Sequence, residues 1–226
     1  PVLSIRSVIG VLVALVLLGT VGLAPAGAVP VPAQAPEASS AVPLPLTERQ
    51  AGQAATQPFT DVPTSHDFHR QIAWLAETGV STGWSGPEGT KLFRPYRPVL
   101  RDQMAAFLYR MVGSPAFEAP ATSPFADVPT SHHFYVEISW LAQAGISNGW
   151  TRSDGTTVFR PSQPVLRDQM AAFLYRLAGS PEVDHPRSEP FRDVKRGDEH
   201  YDAIIWAYQQ GITTGWSDRT FRPTQP

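Results

Sequence analysis

One thirteen-residue segment occurs twice in this chain without a change. Residues 98–110 and 164–176 both read PVLRDQMAAFLYR, so the two copies are 66 residues apart. The same spacing relates the phenylalanines Phe59, Phe125 and Phe191, and the tryptophans Trp74, Trp140 and Trp206. A fixed long period is typical of repeat proteins, and it predicts three copies of one module between residues 59 and 226. Three equal copies favour adhesion over catalysis, because linked binding sites raise the effective concentration.

The composition excludes several classes of protein. The chain contains no cysteine, which excludes disulfides, thiolate metal sites and a lipidated cysteine anchor. Its formal net charge is −2, whereas nucleic-acid binders typically carry a basic patch, so no nucleic-acid partner is expected. The sequence shows no Ser-His-Asp, Cys-His, His-Glu-x-x-His or phosphate-loop pattern. We therefore expect a non-catalytic protein that needs no cofactor and has no metal site.

The residues before the repeats have the composition of an export signal followed by a linker. Arg6 stands before the apolar run Val8–Leu23, and small residues follow at Ala26 and Ala28. This order predicts a cleaved secretory signal at residues 1–28, so that the membrane is contacted only before cleavage. A retained transmembrane helix is the alternative, although the run is shorter than the roughly 20 residues that cross a bilayer. Residues 29–58, rich in proline and alanine, are predicted to be an extended spacer.

Each module opens with the pattern F-x-D-V, in which the aspartates are Asp61, Asp127 and Asp193. We interpret these carboxylates as groups that cap or tie the module together, not as catalytic acids. Thr64 or Ser65, with their equivalents in the second copy, are predicted to cap a first helix that ends at Gly79. The apolar face of this helix is predicted to contain Phe68, Ile72 and Leu75.

A G-[VI]-x-x-G-W turn, a polar loop and an F-R-P step lead to a second helix. The loop has nine positions from Trp84 to Phe93 but only five from Trp216 to Phe221, which predicts an exposed segment. The second helix is predicted after Pro98 and Pro164, with apolar residues at i, i+3, i+4 and i+7 that face a core. A single module of this size buries little surface, so the modules are expected to pack on each other.

Taken in this order and at this period, the patterns resemble the S-layer homology family over residues 59–226. The RDQMAAFLYR segment is similar to versions in actinobacterial secreted proteins. The resemblance implies a mainly α fold, with three helix–loop–helix repeats and short extended segments in a pseudo-threefold arrangement. The repeats are assigned to residues 59–114, 125–180 and 191–226. The third repeat is expected to be incomplete, because Pro226 aligns with Pro98 and Pro164.

The resemblance also implies a function at the cell wall. Family members hold exported proteins on the cell surface through grooves that bind an anionic secondary cell-wall polysaccharide, often at a pyruvylated sugar. The second helix of the family begins with Thr-Arg-Ala-Glu, and here both copies read Leu-Arg-Asp-Gln from Leu100 and Leu166. Loss of the threonine cap is expected to cost about 1 kcal/mol. Asp102 and Asp168 partly compensate through the helix dipole, but each adds a negative charge beside the arginine.

Arg101 and Arg167 are the first candidates for ligand contact. A guanidinium binds a carboxylate with two parallel hydrogen bonds, and a helix N-terminus beside it is expected to add free N–H donors. The alternative for each arginine is a structural ion pair with an aspartate such as Asp61 or Asp127.

Trp84 and Trp150 are open to two interpretations, since an indole at a loop start stacks on a sugar or fills the gap between modules. Gly83 and Gly149 are expected to supply unusual backbone angles and, by the resemblance, to line the groove. His66 and its equivalent in the second copy are interpreted as structural. The alternatives to wall attachment are a targeting region of a wall hydrolase or other enzyme whose catalytic domain lies beyond residue 226, and a protein-binding repeat.

Overall fold

The computed structural model describes residues 57–226, which contain five α-helices and four two-residue strands. The helices are α1 His69–Glu77, α2 Arg101–Met111, α3 Tyr135–Gln143, α4 Arg167–Leu177 and α5 Tyr201–Gln209. The strands are β1 Trp84–Ser85, β2 Lys91–Leu92, β3 Trp150–Thr151 and β4 Thr157–Val158. The predicted signal at residues 1–28 and nearly all of the predicted spacer lie outside the described residues.

The polar loop of the first two repeats is a short antiparallel hairpin. Strands β1 and β2 pair with Trp84 opposite Leu92, and β3 and β4 pair with Trp150 opposite Val158. In the shorter loop of the third repeat, the N–H of Trp216 donates to the carbonyl of Thr220 at 2.8 Å, and the N–H of Arg219 donates to the carbonyl of Trp216 at 2.9 Å. The loop therefore tolerates the four-residue deletion, because both the longer and the shorter loop reverse the direction of the chain.

The aspartate of each F-x-D-V pattern ties the opening of the module to the F-R-P step. In the first repeat, the Asp61 carboxylate accepts the N–H groups of Phe93 and Arg94 at 2.8 and 2.7 Å. Asp127 does the same for Phe159 and Arg160, and the third repeat repeats the arrangement. This confirms the structural interpretation of these aspartates, because each satisfies two backbone donors about 30 residues away.

The predicted caps of the first helix are wrong. The helix α1 begins at His69, several residues after Thr64 and Ser65, and no side chain caps it. Instead the backbone makes a turn in which the N–H of His66 donates to Pro63, and Nδ1 of His66 accepts the N–H of Phe68 at 3.1 Å. His132 plays the same part before α3. Because this turn occupies the residues from Pro63 onward, the helix begins only at His69. Phe68 therefore lies before the helix and is 62% exposed, so it is not part of the apolar face predicted for it.

The core lies between successive repeats, as the small size of one module predicts. The second helix of one repeat packs on the first helix of the next, so that α2 contacts α3 and α4 contacts α5. One buried cluster unites Leu108 of α2 with Ile138 and Leu141 of α3 and with Phe173 of α4. A second cluster joins α4 and α5. Adjacent modules are therefore held together by apolar burial.

Candidate ligand-binding site

Arg101 of the first repeat is buried against the second repeat. It is the first residue of α2 and is only 2% exposed. Its Nε donates to the carbonyl of Phe159 at 2.7 Å, and its Nη1 donates to Oε1 of Gln169 at 3.1 Å. Both acceptors belong to the second repeat, so this arginine marks the junction between repeats 1 and 2.

Trp150 brings a second guanidinium to the same place. The Cζ atom of Arg101 lies 4.2 Å from the centroid of the Trp150 ring, and that of Arg160 lies 4.5 Å from it. Cations over an indole face are attracted by its quadrupole, by about 0.5–2 kcal/mol depending on burial. We call Arg101, Trp150 and Arg160 the first Arg–Trp cluster.

Sequence reasoning missed Arg160 as a member of this cluster. The signal was available, because the F-R-P step carries an arginine in each repeat, at Arg94, Arg160 and Arg222. Each of these residues has a φ close to +60°, a left-handed conformation that is uncommon outside glycine. The aspartate of the same repeat holds the backbone N–H in that conformation, so the arginine side chain reaches the tryptophan.

The charge of Arg101 lacks a carboxylate partner. Within residues 57–226, no carboxylate oxygen lies within 4.0 Å of its guanidinium. Burial and, after it, the charge of Arg160 lower the pKa of Arg101 to about 10, against the opposing effect of the Asp127 charge. Because a tenfold change in proton affinity is 1.4 kcal/mol, this lowered pKa corresponds to roughly 3 kcal/mol of lost stability at neutral pH.

The structure does not form the ion pair that was the alternative role for Arg101. The Asp127 carboxylate accepts two backbone N–H groups, and its effect on Arg101 is at longer range. Nor does Asp102 neutralise the neighbouring arginine. Its Oδ1 accepts the N–H of Gln103 at 2.7 Å, and its Oδ2 lies 3.8 Å from Nε2 of His132.

The expectation of free N–H donors at the start of the second helix is wrong. The N–H groups of Arg101 and Asp102 donate to the carbonyls of Gln163 and Pro161, at 2.9 and 3.1 Å. The N–H of Gln103 is taken by Asp102, as above. The backbone of the next repeat thus replaces the missing threonine cap, and an anion at this place must bind side chains.

A second cluster has the same plan one repeat further on. The Nε of Arg167 donates to the carbonyl of Phe221 at 2.7 Å, and its Cζ lies 6.0 Å from the ring centroid of Trp216. The Cζ of Arg222 lies 4.2 Å from the same centroid. We call Arg167, Trp216 and Arg222 the second Arg–Trp cluster. Arg167 is only partly buried. Its pKa is lowered mainly by this burial and, to a smaller extent, by the positive charge of Arg222.

The structure does not bring Trp84 to either candidate arginine. Trp84 is 45% exposed and lies under Arg94 of its own repeat, with the Arg94 Cζ 4.7 Å from the ring centroid. Arg101 of the first repeat therefore lies with Trp150 of the second repeat, and Trp84 lies apart from both.

The turn glycines have the unusual backbone angles that the sequence predicts. Gly83 and Gly149 have φ values of +67° and +65°. A Cβ on Gly149 would lie 2.6 Å from both Cε1 of Phe125 and the carbonyl oxygen of Val158. These glycines let the backbone approach the core closely, and their contact with a ligand stays a prediction.

Among residues 57–226, no three His, Cys, Asp or Glu side chains lie close enough together to hold a metal ion. No helix of this part of the protein has both the length and the apolar character that crossing a membrane requires.

The fold and its clusters define a tandem-repeat module with arginine–tryptophan junctions between the repeats. The family model for the S-layer homology domain matches residues 58–105, 124–171 and 190–226, which is more than half of the chain. The chain therefore belongs to the S-layer homology domain family. Domains of this family generally anchor proteins to the cell surface, which makes this chain a surface-associated module.

A relative supports the same assignment. A "Cell surface protein" from Thermoanaerobacter kivui is 30% identical over 135 residues, which cover 58% of this chain and 17% of that protein. The chain thus spans less than a fifth of the length of this relative.

Proposed function

We propose that these repeats attach an exported protein non-covalently to the bacterial cell envelope by binding an anionic cell-wall polysaccharide. In this proposal the module has no catalytic role. The observation that carries it is Arg101, a buried cation that has no carboxylate within 4.0 Å in the described part of the chain. A buried charge is costly unless it is paired, so an anionic ligand would stabilise what the free protein leaves uncompensated.

The chemistry of the first Arg–Trp cluster favours a carboxylated sugar. Arg101 uses Nε and Nη1 within the protein, and its Nη2 has no acceptor among residues 57–226. Arg160 is exposed and makes no side-chain hydrogen bond in the same region. Two guanidinium groups stacked on one indole provide hydrogen-bond donors for a carboxylate. A pyruvylated sugar carries such a carboxylate, and it is the ligand we expect.

Co-sedimentation with purified cell walls tests this proposal. The wild-type chain is expected to pellet with walls and to be released by salt, because exposed charge contacts are screened. Arg101→Gln combined with Arg160→Gln is expected to stay in the supernatant. Arg70→Gln combined with Arg97→Gln is the charge-matched control, because both arginines are exposed and neither has a side-chain partner in residues 57–226. Retention of the double variant on the walls would contradict the proposal.

A further inference from the structure

The two Arg–Trp clusters differ in the charged side chains around the arginine of the F-R-P step. In the second cluster, Arg222 donates from Nη2 to Oδ2 of Asp218 at 3.4 Å and from Nε to Oγ1 of Thr220 at 3.1 Å. The same Asp218 oxygen lies 3.3 Å from Nη2 of Arg192. In the first cluster, Arg160 has no such partner among residues 57–226.

The shorter loop of the third repeat explains why Asp218 reaches Arg222. The second and third repeats each contain an Asp-x-Thr turn, in which Asp154 accepts from the hydroxyl of Thr156 at 2.7 Å and Asp218 from that of Thr220 at 2.6 Å. The deletion brings this turn toward the F-R-P step, so Asp218 lies four residues before Arg222. Asp154 lies six residues before its arginine and forms no ion pair within the described region.

We propose that the two clusters are not equivalent, and that Asp218 acts as an internal counter-anion that disfavours an anionic ligand at the second cluster. The first cluster, with Arg101 and Arg160 unpaired, is then the preferred site for the carboxylated sugar. This inference rests on the proposed function, since it concerns the same ligand chemistry. It makes Asp218 the residue that sets the relative affinity of the two clusters for the wall.

The surroundings of Asp218 keep it charged. The hydrogen bond from the Thr220 hydroxyl, supported by its N–H and by Arg222, lowers the pKa of Asp218. A ligand carboxylate that approaches Arg222 therefore meets a second negative charge, and like charges repel. Arg192, which pairs with the same Asp218 oxygen at 3.3 Å, offsets part of this repulsion. The Asp218 side chain is 39% exposed, so its pairing is screened, and the penalty on the ligand is moderate.

Nuclear magnetic resonance of the full chain distinguishes the two clusters, because each contains one tryptophan indole N–H. The probe is a methyl glucoside that carries a 4,6-linked pyruvate ketal, with plain methyl glucoside as the uncharged control. In the wild-type chain the Trp150 signal is expected to titrate at a concentration roughly two- to fivefold below that of Trp216. In Asp218→Asn the Trp216 titration is expected to shift about two- to fivefold toward tighter binding, with Trp150 unchanged.

Asp154→Asn is the matched control, because it alters the equivalent Asp-x-Thr turn of the second repeat without removing an ion pair. It should leave both titrations unchanged. Asp218→Ser is a second variant that removes the charge, should Asp218→Asn perturb the loop. Equal titration of the two indoles in the wild type, or a Trp216 signal indifferent to both Asp218 variants, would overturn the inference while wall attachment stands. If the charged probe shifts neither indole in any variant, the anionic-ligand proposal fails, and this inference fails with it.

Discussion

Replacing Arg101 by methionine separates ligand binding from folding. Methionine keeps an unbranched apolar stem and removes the charge whose burial corresponds to roughly 3 kcal/mol at neutral pH. It also leaves the carbonyl of Phe159 without its donor, at about 1–3 kcal/mol, and loses the contact with Trp150, about 2 kcal/mol when desolvated. The losses total about 3–5 kcal/mol and therefore equal or slightly exceed the gain. The free energy of unfolding of Arg101→Met should therefore lie within about 1–2 kcal/mol of the wild type, while wall binding is lost.

The buried charge of Arg101 lowers the free energy of unfolding throughout the pH range below about 10. The pKa of Arg101 is lower in the folded chain, so the unfolded chain binds the proton more tightly. The penalty is therefore fully present below pH 10 and disappears only as the pH rises through about 10 toward the ordinary arginine value. A comparison at pH 7 captures all of it.

Urea unfolding followed by tryptophan fluorescence measures the effect. Leu108→Ala provides the scale, because Leu108 is 1% exposed in the same helix and its truncation should cost about 2–5 kcal/mol. If Arg101→Met loses as much as Leu108→Ala, then Arg101 is a structural residue and the argument from its unpaired charge is refuted. Wall binding by a stable Arg101→Met chain would refute it equally.

Three further predictions concern the scaffold, and equilibrium unfolding tests all of them. Asp127→Ala should lose about 2–4 kcal/mol, because two N–H donors lose a charged acceptor. Gly149→Ala should lose more stability than Gly145→Ala: both have positive φ, but only at Gly149 does a Cβ meet atoms within 4 Å. Burial raises the pKa of Asp102, so ionisation opposes folding, and the gain from Asp102→Asn should grow as the pH rises above the ordinary aspartate value.

Each of these predictions has an outcome that would contradict it. An Asp127→Ala chain as stable as the wild type would mean that water replaces the carboxylate. Equal losses at Gly149 and Gly145 would mean that the close approach to Phe125 relaxes freely. A pH-independent difference between Asp102→Asn and the wild type would show that the Asp102 carboxylate is not held in a desolvated place.

Much of the module could be predicted from residue patterns because those features are local. The period identified the repeats, the glycines identified turns with positive φ, and the apolar spacing identified α2 and α4. The aspartate of F-x-D-V was also predictable as a tie, although its partners are some 30 residues away. The start of α1 was not, because the turn at Pro63 and the Nδ1 acceptor of His66 took over from the expected Thr64 or Ser65 cap.

The chemistry of the first Arg–Trp cluster could be predicted only in part. The sequence marked Arg101 and Trp150 as candidates, but it could not show that they belong together, since they come from different repeats. It also left the N–H groups of α2 free, whereas carbonyls of the following repeat accept two of them. Such contacts depend on how one module docks on the next, which a pattern within one module does not contain.

The twice-repeated segment shows where the two kinds of information divide. Its sequence alone predicted a helix after Pro98 and Pro164, and both copies form a helix that begins with arginine, since helical propensity and apolar spacing are local properties. The tertiary structure alone decided that Arg101 is 2% exposed and that its guanidinium lies against Gln169 and Phe173 of the next second helix. It also decided that Asp218 pairs with Arg222, whereas Arg160 has no such partner among the described residues. Burial and charge environment are supplied by neighbours from other parts of the chain, so a pattern within one repeat does not contain them.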